Sequence, residues 1–164
     1  MANNVLNANP NQKISEKFRV FVFSIGKENY CVDIRDIKEV LLFSEVTQVP
    51  NTPNFVIGIS NLRGEVISII DIREFLGVNF HIKNKNNRIA VTDITGEKIG
   101  FVIDEIKGIA DLKPDDIQPV IMTVSDSIAR VTKGHINYGD DVLGYLDLNK
   151  ILKCEKIEVL RKGV

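Results

Sequence analysis

The strongest constraint on the fold is that the chain repeats itself. Gly58, Asn61, Ile70, Asp71, Ile72 and Leu76 recur as Gly134, Asn137, Leu146, Asp147, Leu148 and Leu152, all displaced by one constant interval. A second match aligns Ile34, Ile37, Lys38 and Val40 with Ile103, Ile106, Lys107 and Ile109. Similar chemistry at a fixed interval predicts two copies of one small β-barrel, each of about five strands and closed by a short helix. A barrel of roughly sixty residues buries too little surface to be stable alone. Two copies that share a hydrophobic seam overcome this, close most sheet edges, and leave a groove where a partner can insert.

Local signals agree with a mainly β fold. Phe18–Ile25 mixes β-branched and aromatic residues as a strand does, Gly26–Asn29 is a turn, and Tyr30–Ile34 pairs back as a hairpin. Ile37–Phe43 is a further extended run, and Val49–Pro53 is excluded from helix by its prolines. Val66–Ile70 reads as a strand buried on both faces. Asp71 and Glu74 have capping-box spacing ahead of a short helix, Ile72–Leu76, that Gly77 closes. The second half restarts with strands at Arg88–Ile94 and Ile99–Ile103 and a turn at Lys113–Asp116. A hairpin of Ile128–Ile136 with Val142–Leu146 then turns about Tyr138–Asp141, and Asp147 caps a helix from about residue 148.

The expected organisation is a mobile, Asn-rich tail over residues 1–15, one domain over 16–155, and a short tail over 156–164. Within the domain, subdomains of about 16–80 and 88–147 flank the polar linker His81–Asn87.

Composition narrows the function. The 21 basic and 22 acidic residues leave a net charge of -1, which argues against electrostatic capture of nucleic acid or an anionic membrane. No apolar run is long enough to span a bilayer and the N-terminus lacks the features of a signal peptide, so a cytoplasmic location is expected. Cys31 and Cys154 are isolated and read as thiols. His81 and His135 have no ligand partners at metal spacing, and no catalytic or phosphate-binding motif is present. No catalytic residue, metal or cofactor is expected.

The most informative segment is Gly58-Ile-Ser-Asn-Leu-Arg-Gly-Glu-Val-Ile-Ser-Ile-Ile-Asp-Ile-Arg73. Its polar turn, Asn61–Glu65, presents Arg63 between two strands, with Asn61 and Gly64 supplying positive φ. A guanidinium on a rigid turn offers a planar fork of donors to carboxylates and carbonyls. The equivalent stretch of the second copy has Gly139 and aspartates instead. The run Ile34, Ile37, Val40, Leu41, Leu42 and Phe43 is also more apolar than one barrel face can hide, so part of it should face outward as an interface.

On the Asn-Leu-Arg-Gly turn, the strand after it, the Asp-Ile-Arg ending and Asn51-Thr-Pro53, the chain resembles the CheW family of chemotaxis coupling proteins over nearly all of residues 16–155. The resemblance implies two packed SH3-like barrels and a non-enzymatic adaptor. Such an adaptor bridges the cytoplasmic tip of methyl-accepting receptors to the histidine kinase CheA and joins the kinase's regulatory domain in rings. It implies receptor-binding roles for Arg63 and Glu39, and kinase-binding roles for Phe21, Ile34 and Ile37. Val120–Thr123 departs from the proline-and-phenylalanine character of the second ring contact. Two other readings keep the same fold. One is a tandem barrel that binds single-stranded nucleic acid through Phe18, Phe21 and Phe23. The other is a CheV-like array scaffold without its receiver domain.

Overall fold

The computed structural model describes residues 16–43, 46–79, 86–120 and 125–162. The expected N-terminal tail, the linker residues His81–Lys85 and the stretch Ile121–Thr123 lie outside them.

The architecture is mainly β. Strands β1 (Phe18–Ile25), β2 (Glu28–Asp33), β3 (Ile37–Leu42), β4 (Val56–Leu62) and β5 (Glu65–Ile70) lead into helix α1 (Arg73–Leu76). The second copy supplies β6 (Arg88–Thr92), β7 (Ile99–Ile103), β8 (Glu105–Leu112), β9 (Ile117–Gln118), α2 (Asp126–Val131), β10 (Thr132–Tyr138) and β11 (Asp141–Leu146). Helices α3 (Leu148–Leu152) and α4 (Glu155–Lys162) end the described chain, and α4 occupies the stretch expected to be tail. Residues 128–131, expected to be strand, are helical because Ile128 and Val131 are spaced for one face of a helical turn.

Two sheets result, a six-stranded one in the order β8-β1-β2-β11-β10-β9 and a five-stranded one in the order β3-β6-β7-β5-β4. Each sheet draws strands from both halves of the chain, so the division between sheets runs across the linker boundary rather than along it. The cause is two short connections. A single 3-10 turn, Ile34–Asp36, carries the chain from β2 into the other sheet, and Asp104 alone does the same between β7 and β8. Each passes the chain on to the other sheet instead of turning it back against the strand just made. The halves are then stitched by four ladders, antiparallel between β1 and β8 and between β3 and β6, and parallel between β5 and β7 and between β11 and β2.

Three apolar cores follow. Val20, Val22, Cys31, Ala110, Leu112, Ile136, Leu143 and Tyr145 fill the six-stranded sheet. Leu62, Ile67, Ile69, Ile89, Val91 and Val102 fill the five-stranded one. The largest cluster lies between them and includes Phe21, Phe23, Phe101, Ile72, Leu148 and Ile151, which is the predicted shared seam.

The repeat is exact in its pairing. The hairpins β4–β5 and β10–β11 have the same register, and each breaks it at its glycine, between Val56 and Gly58 and between Thr132 and Gly134. Gly58 (φ 149) and Gly134 (φ 159) each back onto a carbonyl oxygen, of Thr47 and Gln118 respectively, where a Cβ would overlap it. The two caps diverge. Asp147 accepts from the Lys150 N–H at 3.2 Å as a helix cap should. Asp71 does not cap α1, whose N-cap position is Ile72. Its carboxylate instead accepts from the Arg73 backbone N–H at 3.0 Å and the guanidinium at 3.2 Å. Arg73 is buried, also reaches Asp104, and Asp104 in turn accepts from Gly26 N–H at 2.6 Å and Asn87 at 3.0 Å. A buried guanidinium is tolerable only when paired in this way. Glu74, expected in the capping box, instead pairs with Lys156 at 2.9 Å and ties α1 to α4.

Candidate docking surfaces

The turn between β4 and β5 is two residues long, Arg63 (φ 52) and Gly64 (φ 88). Two positive φ values match the twist of a type I′ hairpin, whose central positions favour Asn and Gly. Asn61 serves differently from expectation, accepting the Gly64 N–H on Oδ1 at 2.8 Å, and the left-handed conformation falls on Arg63 itself. For a non-glycine residue this costs roughly 1 kcal/mol. The guanidinium is held at the tip, 80% exposed, and donates to Glu39 Oε2 at 3.0 Å. Glu39 reaches it because β3 carries a bulge between Ile37 and Glu39. The two residues implied in receptor binding are thus brought together. Beside them Glu65 pairs with Lys98, whose ammonium is held above its ordinary pKa by that bond. Lys98 carried no motif in the sequence, since it meets Glu65 only in the fold.

β5 is not buried on both faces as its composition suggested. Val66 (64% exposed) and Ser68 look outward. They line an open groove of about 590 Å³ with Val56, Ile59, the Gly96–Lys98 turn and Ile157 of α4. The apolar floor and charged rim are those of a surface built to receive a protein segment.

The three residues implied in kinase binding separate. Phe21 is 5% exposed and packs on Phe23 at a centroid distance of 5.6 Å, within the shared core. Ile34 and Ile37 are half-buried against the shared core and present part of their surface to solvent. The excess of apolar residues in this run is resolved mainly at Leu42, which is exposed.

The other barrel end is the same construction without the arginine–glutamate pair. In the repeat alignment Gly139 stands where Arg63 stands and Gly108 where Glu39 stands. β8 is bulged at the matching place, between Ile106 and Gly108. The corresponding opening, about 220 Å³, lies between β8 and the Tyr138–Asp141 turn over Val22, Ala110 and Leu143.

No group of three metal-ligating side chains occurs among the described residues, and no described helix is long and apolar enough to cross a membrane.

The comparisons with known proteins decide the family. Residues 19–156 match the CheW-like domain. The chain belongs to the CheW family. It is 35% identical over 147 residues to the chemotaxis protein CheW of Helicobacter pylori, covering 89% of this chain and 88% of that one. It is 30% identical over 149 residues to the CheW of Thermotoga maritima, with 91% and 95% coverage. The crystal structure of the scaffolding protein TtCheW from Thermoanaerobacter tengcongensis matches with a TM-score of 0.76 and 28% identity, over 86% of this chain and 96% of that one. CheV3 of Helicobacter pylori is 25% identical to it, and the match takes up 42% of that longer protein. The chain is therefore a non-enzymatic scaffold of chemotaxis signal transduction. Of the three residues on which the nucleic-acid reading leaned, Phe21 and Phe23 are core packing and Phe18 is partly buried against the core of the six-stranded sheet.

Proposed function

We propose that this CheW protein works in the cytoplasm and couples methyl-accepting receptors to the histidine kinase CheA, using separate surfaces for each. The observation that carries the reading is Arg63, fixed in a left-handed turn and aimed by Glu39. A side chain held at conformational cost and left mostly exposed is better explained by an external partner than by the fold. Arg63 and Glu39 form the receptor-facing pair, where the guanidinium keeps donors free for a partner's carboxylates or carbonyls. Ile34 and Ile37 contribute apolar contact to the regulatory domain of the kinase, and the groove along Val66 extends the area available for docking. Apolar contact supplies most of the affinity and the charged pair sets register.

A pull-down with the CheA regulatory domain and, separately, a receptor cytoplasmic fragment tests this. Arg63→Glu should abolish receptor capture while kinase capture persists, and Ile37→Asp should do the reverse. Unchanged capture of both by the double variant would refute the assignments.

A further inference from the structure

Strand β8 is the terminal strand of its sheet and pairs only with β1 among the described residues. An eight-residue edge carrying exposed apolar side chains is normally blunted, because its unpaired N–H and C=O groups are a template for another strand. Here Ile109 is 61% exposed, exposed Tyr138 lines the same opening, and Ile106 is exposed earlier on the strand. No ion pair equivalent to Arg63–Glu39 guards this end, since both positions are glycine.

We propose that β8 is a self-association edge, pairing antiparallel with β8 of a second copy about a twofold axis through Ile109. The charges along the strand commit it to that occupant. Rotation about Ile109 sets Lys107 opposite Asp111, and the same pair recurs on the other side of the axis. A strand that meets itself with these charges matched forms an isologous interface, which closes at two copies. In the single chain these charges are engaged locally, Lys107 with Glu105 at 2.6 Å and Asp111 with Arg19 at 2.9 Å. All four side chains are exposed enough for such pairs to be weak and readily exchanged. One strand and its flanks make a small interface, so the dimer is a weak one that forms at high local concentration. The proposal is independent of which partners the Arg63 surface binds.

Sedimentation velocity on the full chain from about 10 µM to about 1 mM tests it. The expected result is a concentration-dependent dimer that Ile109→Lys converts to monomer, with the circular dichroism spectrum unchanged because Ile109 is exposed. Lys107→Asp and Asp111→Lys should each weaken the dimer several-fold, and the two together should restore it. A monomer across the whole range overturns the proposal, as does a dimer indifferent to Ile109→Lys or unrepaired by the charge exchange. Loss of CheA or receptor capture in Ile109→Lys without any self-association would assign the edge to that partner instead, and overturn it equally.

Discussion

At Arg63 the demands of folding and of docking point in opposite directions. The turn geometry asks for Asn at this position, and the ion pair to Glu39, with 80% of the arginine side chain exposed, returns less than about 1 kcal/mol. Arg63→Asn should therefore leave stability unchanged or raise it by about 0.5–1 kcal/mol, because Asn occupies the left-handed region more readily. Urea denaturation measures that part, and receptor capture should fall in the same variant. A destabilised variant would mean that the arginine serves the fold. The sequence showed the arginine and its turn but not its strain, since whether Asn61 or Arg63 takes the positive φ depends on a two-residue register. The burial of Phe21 was hidden for a related reason. Alternation separates the two faces of β1, yet both are buried, one inside a sheet and one in the seam between sheets.

Among the elements, the two glycine-bulged hairpins are the clearest case of one solution used twice. Gly58 and Gly134 each have a positive φ and a carbonyl oxygen pressed where a Cβ would stand. Gly58→Ala and Gly134→Ala should each lower stability by about 1–3 kcal/mol, with a similar loss in both because the crowding atom is equivalent. Chemical denaturation of the two single variants checks this, and a neutral result at either site would show that the copies have diverged in packing. This equivalence was legible in the sequence, because glycines and aspartates recur at one interval. The pairing of strands was not. It depends on Ile34–Asp36 and Asp104 carrying the chain from one sheet to the other, and where a strand gives way to such a crossing is visible only once the strand ends are known. Helix α2 escaped because six residues with a single i, i+3 pair, Ile128 and Val131, are too few to establish a period.

The whole molecule depends on the ladders that join its halves, and one of them is chemically marked. Where β2 of the first copy meets β11 of the second, Cys31 lies opposite Tyr145, and Tyr30 lies opposite Gly144. Burial pushes Cys31 from 9.0, and Tyr30 and Tyr145 from 10.0, up to about 12. A glutamate near Tyr30 and Asp33 near Tyr145 add to the effect of burial there. The folded protein thus holds three protons that the unfolded chain releases earlier, so unfolding is favoured progressively by base. The stability they contribute is complete below pH 9 and drains away as pH rises towards 12. Thermal unfolding in a pH series should show a flat midpoint up to about pH 9 and a steep fall beyond it, steeper than one titrating group produces. Cys31→Ala should move the onset upward towards the ordinary tyrosine value of 10.0, at the cost of a small cavity. Because the three groups sit in the ladder between copies, backbone amides of β2 and β11 should lose their exchange protection before those of β4 and β5. Protection lost first in the β4–β5 hairpin would place the weakest joint within a copy rather than between the two.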